Sequence, residues 1–143
     1  MVDQTLIRRK LADIEQYVGQ LAEYANISAE EYTADWKTQR IVERTLQIAI
    51  ETCLDVAEHV IADRRLRVPA TYAEAFEILG EVGLLDPSLR DAMVRMAGFR
   101  NVLVHEYARI NPGIVVDVLR HRLHDFGRFR DAALGWLCLS GPG

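Results

Sequence analysis

The chain has 143 residues, of which half are hydrophobic and 27% are charged, and its formal net charge is −4. This length predicts a single domain, residues 1–143, with enough chain to bury a hydrophobic core. The acidic balance excludes a constitutively basic nucleic-acid binder, and no apolar run approaches the roughly 18 residues of a membrane span. The start "MVDQTLIRRKLADIEQ" is too charged for a secretory signal. We therefore expect a cytoplasmic protein that contacts no membrane.

Helical periodicity dominates the first half of the chain, and neither strand alternation nor a hairpin turn signal interrupts it. The first predicted helix spans about Asp3 to Tyr24. Ser28 in "SAEE" is then an N-cap residue, and Glu31 three positions later completes a capping-box pattern. The longest predicted helix runs from Trp36 to about Ala62. Its predicted buried face carries Leu46, Ala49, Ile50, Cys53, Ala57, Val60 and Ile61. Its predicted solvated face carries Glu43, Gln47, Glu51 and Asp55.

A short helix is predicted after Pro69, because proline cannot continue the preceding helix. Thr71 is its N-cap residue, and Glu74 suggests a second capping box. Gly83 lies just past its end, where glycine commonly terminates helices. Its predicted apolar face carries Tyr72, Ala75, Phe76 and Leu79.

Two X-Pro pairs mark the starts of the last two helices. Asp86 precedes Pro87, and Asn111 precedes Pro112, so each pair combines an N-cap residue with the preferred first-turn proline. The last helix is predicted to end near Trp136. Four long helices and one short helix predict an all-α fold, an up-and-down four-helix bundle with an additional short helix.

Cysteine and histidine spacings give little sign of metal chemistry. Cys53 and Cys138 lie far apart in apolar helical patterns, which predicts two reduced core thiols. His121 and His124 are three residues apart, a spacing that suits a metal, but no third ligand is evident. The chain also lacks a phosphate-binding loop and a dinucleotide fingerprint. We therefore expect neither a metal nor another cofactor.

The stretch "RNVLVHEYARINPG" combines three aliphatic residues with polar groups that can do chemistry. If the helix that begins after Asp86 continues through it, Arg100 and Tyr107 fall on the apolar stripe. Asn101 and His105 share a second stripe. A buried arginine needs a partner. Either Arg100 pairs with an internal carboxylate and His105 is a satisfied core histidine, or a second subunit packs on this helix.

The second alternative has a catalytic form. Histidine titrates near neutral pH, so His105 can act as a general base or acid. The permanent charge of Arg100 suits a phosphate oxygen. Together they are the minimum for metal-independent RNA cleavage, in which a base deprotonates the ribose 2′-hydroxyl and a cation stabilises the phosphorane. A twofold homodimer would place two such pairs beside one cleft, so one histidine could serve as base and the other as acid.

The pattern "RNVLVHEY" resembles the R-x4-H-x-Y motif of the HepT-like toxins of the HEPN superfamily. The flanking blocks "RIVERTLQIAIETCLDVAEHVI" and "VPATYAEAFEILGEVGLLDP" are similar to the same family, and the resemblance covers roughly Thr5 to Phe129. It implies a dimeric helical bundle that acts as a metal-independent ribonuclease toxin. In this sequence, the implied catalytic residues are Arg100 and His105, with Asn101 in a supporting position.

The resemblance also implies a partner. HepT-like toxins are typically encoded beside an MntA-type nucleotidyltransferase antitoxin, which transfers AMP to the motif tyrosine. That role carries over to Tyr107. Two rival functions remain open: a non-catalytic helical subunit that binds nucleotides or substrate for the nucleotidyltransferase, and a purely structural helical dimer.

Overall fold

Helices account for nearly all of the regular structure. The computed structural model describes residues 3–140, except for the side chains of Tyr107, Leu139 and Ser140. The helices are α1 Gln4–Ala22, α2 Ala29–Ala34, α3 Trp36–Asp63, α4 Tyr72–Glu81, α5 Pro87–His105, α6 Pro112–Asp117 and α7 Leu123–Ser140. A 3-10 turn, Tyr107–Arg109, follows α5, and a π turn, Val118–Arg122, joins α6 to α7. No strand occurs within these bounds, and the predicted all-α class is confirmed.

Local capping chemistry sets most helix starts. The Ser28 hydroxyl accepts a hydrogen bond from the Glu31 backbone, and the Glu31 carboxylate accepts one in return, so the first capping box is confirmed. The second is only half formed. Thr71 accepts from the Glu74 backbone at 3.1 Å, but the Glu74 carboxylate pairs with Arg67 instead. The predicted caps Asp86 and Asn111 both accept a backbone hydrogen bond.

The long helices pack as a bundle around α3, which contacts α1, α4, α5 and α7. The predicted apolar face of α3 is confirmed, since every residue named for it is at most 4% exposed. Three aromatic rings link α4 to α7. Phe129 lies edge to face with Phe76 at 5.8 Å and with Trp136 at 5.7 Å between ring centroids. The Trp136 indole N–H also donates to the Leu84 carbonyl at 2.9 Å, so this buried donor has an acceptor.

The structure differs from the sequence expectations at α2, at the end of α7 and at one cysteine. The chain between 29 and 34 forms a second short helix, α2, because the capping box at Ser28 nucleates a helix that ends before Asp35. The last helix runs to Ser140 rather than ending near Trp136. Cys53 is fully buried as predicted, but Cys138 is exposed, because it lies on the outer face of the last turns of α7.

The π turn explains how Arg122 stays exposed just before the last helix. In an uninterrupted α-helix, Arg122 would share the stripe of Val115 and Phe126, both of which are fully buried. The wider turn at Val118–Arg122 takes up extra residues, so the Arg122 side chain stays exposed. None of the helices between residues 3 and 140 has the length and apolar character needed to cross a bilayer.

Candidate active site

Arg100 lies on α5 and points into the bundle. Its side chain is 14% exposed, which confirms that it occupies the apolar stripe. The guanidinium Nε and Nη2 donate to one oxygen, Oε2, of Glu51 on α3, at 2.9 and 2.8 Å. Of the alternatives left open by the sequence, pairing with an internal carboxylate is therefore confirmed for Arg100. The charge is fixed in place within a single chain.

Glu51 was expected on the solvated face of α3, and it lies there only partly exposed. Its side chain is 35% exposed, and the same Oε2 also accepts a hydrogen bond from Gln47 Nε2 at 3.2 Å. The reason is tertiary packing, because α5 lies against this face of α3. The sequence held one signal of it. Leu54 lies on the same helical stripe as Gln47 and Glu51, and a leucine there indicates that the polar stripe is partly covered. In the structure Leu54 is only 3% exposed.

Tyr72 is a second site residue that sequence reasoning misplaced. It was assigned to the buried face of α4, but 40% of its surface is exposed. Its ring instead lies beside the Arg100 guanidinium, with 4.7 Å between the guanidinium carbon and the ring centroid. This distance is within the range of a cation–π contact. Glu51 and Tyr72 therefore hold Arg100 from two directions.

Asn101 and His105 lie on the outside of α5. Asn101 Oδ1 is 3.4 Å from Arg100 Nη1, so these two motif residues are in contact. His105 is exposed and forms no hydrogen bond or ion pair with any side chain that the structure describes. The interpretation of His105 as a satisfied core histidine is wrong. Within one chain, the structure brings Arg100 and Asn101 together and leaves His105 facing outward.

Tyr107 lies beyond the end of α5, so the α-helical spacing from which the sequence placed it on the stripe of Arg100 does not extend to it. Helix α5 ends at His105, and Tyr107 begins the following 3-10 turn. The physical reason is the next helix. Asn111 caps α6 at Pro112, so the chain has only a few residues in which to change direction. The side chain of Tyr107, and with it the predicted AMP-acceptor hydroxyl, lies outside the described part of the structure.

Two depressions flank the Arg100–Glu51 pair along α3. On one side, a cleft of about 380 Å³ is lined by Glu51, Leu54, Asp55, Glu58 and Tyr72. On the other side, a groove of about 320 Å³ is lined by Arg40, Glu43, Arg44, Gln47, Leu103 and Val104. The cleft is acidic, whereas the groove carries two arginines. The arginine of the motif therefore lies where the charge along this face changes sign.

The histidine pair that suggested a metal does not form a ligand cluster. His121 is exposed in the π turn, and His124 Nε2 is 3.3 Å from Asp125 Oδ1. Asp125 is in turn bound by Arg128 at 3.1 Å. Among the described residues, no three His, Cys, Asp or Glu side chains are arranged to hold a metal ion.

Comparison with known proteins adds an independent line of evidence to this geometry. The model of the family described as ribonuclease HepT-like matches residues 14–133. The chain belongs to this family. The mRNA nuclease HepT of Shewanella oneidensis is 31% identical over 126 residues, covering 88% of this HepT-like chain and 94% of that protein. The tRNA nuclease HepT of Aphanizomenon flos-aquae is 30% identical over 125 residues, covering 87% of this chain and 85% of that protein.

A solved structure shows the same fold. The tri-AMPylated HEPN toxin of Shewanella oneidensis, solved in complex with an MNT antitoxin, superimposes with a TM-score of 0.84 and 30% sequence identity. The match covers 94% of this HepT-like chain and 99% of that toxin. The HEPN-like bundle expected from the resemblance is thereby confirmed.

Proposed function

We propose that the chain is an endoribonuclease toxin that cleaves RNA without a metal ion. The observation that carries this proposal is the arrangement of α5, where a fixed guanidinium and an exposed imidazole lie five residues apart in a HepT-like chain. The names of the two nuclease relatives support the activity. A cytoplasmic location is part of the same proposal, because RNA is the substrate.

His105 acts as the general base in this mechanism. It removes the proton from a ribose 2′-hydroxyl, whose oxygen attacks the adjacent phosphorus. Arg100 stabilises the negative charge that develops on the phosphorane. Because Nε and Nη2 of Arg100 face Glu51, its Nη1 edge, beside Asn101, is the part available to a phosphate oxygen.

The second half of the reaction requires an acid. The bond from phosphorus to the 5′-oxygen breaks, and that oxygen takes a proton as it leaves. Products are a 2′,3′-cyclic phosphate and a 5′-hydroxyl. In a twofold homodimer, the second copy of His105 supplies this proton. The exposed position of His105 at the end of α5 supports such sharing, because the side chain is not committed to its own bundle.

Control of the toxin is proposed to use Tyr107. A nucleotidyltransferase antitoxin of the MntA type transfers AMP from ATP to the phenolic oxygen, and pyrophosphate leaves. The added phosphate charge and adenosine oppose the entry of an RNA backbone. The tri-AMPylated state of the related Shewanella toxin and its complex with an MNT antitoxin support this proposal.

One observation favours a second candidate. Arg100 is already paired with a carboxylate and largely buried, as in a purely structural ion pair. The chain would then be a non-catalytic helical subunit that binds nucleotides or substrate for a nucleotidyltransferase. Its partner would be the same, but purified protein would leave RNA intact.

Incubation of purified protein with RNA in excess EDTA separates these candidates. We expect cleavage with 2′,3′-cyclic phosphate ends, and we expect no cleavage by His105→Ala, because loss of a general base costs about 10²–10⁴ in rate. The matched control is His121→Ala, which removes another exposed histidine and is expected to leave cleavage unchanged. Cleavage that needs added magnesium, or that survives His105→Ala, contradicts the mechanism.

A further inference from the structure

The depression between α3 and α5, which we call the α3–α5 groove, contains charge that the fold does not use. Arg40 and Arg44 lie four residues apart on α3 and form one wall. Leu103 and Val104 of α5 form the opposite side, and Gln47 of α3 also lines the groove. The groove is open to solvent at both arginines, which are exposed. Its volume of about 320 Å³ can hold an extended chain of small groups.

Arg40 and Arg44 lack ion-pair partners among the described side chains. Other exposed arginines, Arg8 and Arg9 among them, also lack a described ion pair, so the feature that distinguishes Arg40 and Arg44 is their shared place on the wall of one groove. Like charges four residues apart on a helix repel each other and destabilise it by a few tenths of a kcal/mol. Here the sequence places such a pair on the long helix, with Glu43 as the only acidic side chain among the described residues that line the same groove.

Glu43 is the one acidic residue on the groove wall, and its carboxylate is engaged elsewhere. Glu43 Oε2 accepts a hydrogen bond from the Tyr32 hydroxyl at 2.8 Å. Burial, reinforced by this hydrogen bond, raises the pKa of Tyr32, so the hydroxyl keeps its proton and remains a donor. Glu43 therefore reduces the positive charge of the groove without pairing with either arginine.

The groove leads to the proposed catalytic residues. Leu103 and Val104 immediately precede His105 on α5. On the α3 wall, Gln47 donates to the Glu51 oxygen that holds Arg100. A ligand bound along Arg40 and Arg44 would therefore reach the Arg100–Glu51 pair within about two helical turns of α3.

We propose that the α3–α5 groove binds the phosphate backbone of single-stranded RNA beside the bond to be cut, with Arg40 and Arg44 each contacting a phosphate. This inference rests on the proposed function, because it takes RNA as the substrate. Arginine suits the role, since its planar fork matches phosphate oxygens. The open polar wall also favours an extended charged chain over a compact apolar ligand.

Because the charge along α3 changes sign near Arg100, the RNA strand can bind on only one side of that residue. Beyond Arg100, the cleft is lined by Glu51, Asp55 and Glu58, which repel phosphates. The strand therefore lies over the arginines and leaves the surface of α3 near Arg100 instead of following the helix. Binding on one side of the scissile bond is thus stronger than on the other.

The test is RNA binding by the full-length double variant Arg40→Gln/Arg44→Gln. Both the variant and the parent carry His105→Ala, so that a labelled single-stranded RNA stays intact during the titration. We expect affinity to fall at least about tenfold at low salt. The slope of log Kd against log salt should decrease by about 1.4, roughly 0.7 for each single-strand phosphate that the protein no longer neutralises. A merely structural role of these arginines would not change the slope.

The matched control is Arg8→Gln/Arg9→Gln on α1, which removes the same charge from two exposed arginines that also lack described ion-pair partners. Helix α1 packs on α3 and α7, away from the groove. We expect the RNA affinity and the salt slope of Arg8→Gln/Arg9→Gln to match those of the parent. Equal losses in both double variants would mean that only overall charge matters, and would overturn the proposal.

Three further outcomes also count against the groove. One is unchanged RNA binding by Arg40→Gln/Arg44→Gln. Another is normal RNA binding with loss of binding to the nucleotidyltransferase, which would assign the surface to a protein partner. The third is a sedimentation change to smaller species, which would assign it to contact between copies. A failure of the proposed function gives a different result. In that case the chain with His105 intact binds RNA through the groove but does not cleave it.

Discussion

Arg100 and Glu51 stand 49 residues apart in the sequence, yet two nitrogens of the guanidinium meet one carboxylate oxygen at 2.8 and 2.9 Å. This contact fixes the position of the cation on which the proposed chemistry depends. It also leaves the Nη1 edge as the direction in which the charge can act. The geometry predicts separate roles for the two residues, with Arg100 at the substrate and Glu51 acting through it.

Glu51→Gln removes the carboxylate charge but keeps the shape of the side chain. We expect kcat for RNA cleavage to fall by roughly 10- to 100-fold, because small displacements of a catalytic group are that costly. RNA affinity should change little, so the loss appears in kcat rather than in KM. Glu58→Gln on the same cleft wall is the control and should behave as the parent. A Glu51→Gln enzyme with normal kcat would show that the ion pair is only structural.

Arg100→Ala and His105→Ala should both abolish cleavage but differ in stability. Loss of Arg100 leaves Glu51 and Tyr72 without the group they hold, so we expect the free energy of unfolding to fall by about 1–3 kcal/mol. His105 is exposed and unpaired, so its loss should change stability by less than about 0.5 kcal/mol. Urea unfolding followed by circular dichroism measures both. Equal destabilisation would contradict the opposite placements of the two side chains.

Tyr72→Leu tests the contact between the ring and the guanidinium. We expect a loss of about 0.5–1 kcal/mol in the free energy of unfolding, at the lower end for a cation–π pair, because Tyr72 is 40% exposed. Tyr72→Phe keeps the ring and should match the parent in the same urea titration. If Phe and Leu variants lose the same amount, the hydroxyl and not the ring is the important group.

Tyr107→Phe should escape silencing by the nucleotidyltransferase, because the variant lacks the oxygen that would accept AMP. Intact-mass measurement after incubation with the partner and ATP is the readout. The parent should gain AMP units and lose RNA cleavage, whereas the variant should keep its mass and its activity. Adducts on Tyr107→Phe, or adducts of the parent that map to Tyr17, Tyr24, Tyr32 or Tyr72, would refute the assignment.

The two cysteines should differ in reactivity. Cys138 is exposed and should react with a thiol reagent in the native state, whereas buried Cys53 should react only after unfolding. Burial raises the pKa of the Cys53 thiol, so above about pH 8.5 the thiol ionises in the unfolded chain but not in the folded one. The Cys53 contribution to stability is therefore complete below that pH and declines above it. Cys53→Ala should lack this alkaline decline.

Sequence reasoning succeeded where the controlling chemistry is local. Ser28, Asp86 and Asn111 were identified as caps because each side chain satisfies a backbone donor only two or three residues away. The buried position of Arg100 followed from helical periodicity alone. These features depend on spacing within one segment, which a single sequence records directly.

The partners of Arg100 could not be predicted, because they depend on how helices pack. Glu51 occupies the polar side of α3, and only the placement of α5 turns that side into an interface. The end of α5 at His105 likewise lacks a local glycine or proline, and the space left before Pro112 determines it. The placement of the AMP acceptor relative to Arg100 therefore stays a prediction.

The π turn at Val118–Arg122 has a consequence for how this chain tolerates changes in length. Helix α6 packs against α2, while α7 packs against α1, α3 and α5. Because the wider turn absorbs an extra residue, deleting one residue there would restore regular α-helical geometry and leave α6 and α7 facing their present partners. Inserting a residue elsewhere in α6 or α7, with no such turn to absorb it, would instead rotate the following segment by about 100° and turn its packing surface away. We therefore expect relatives that are one residue shorter at this turn to keep the same packing with a continuous last helix.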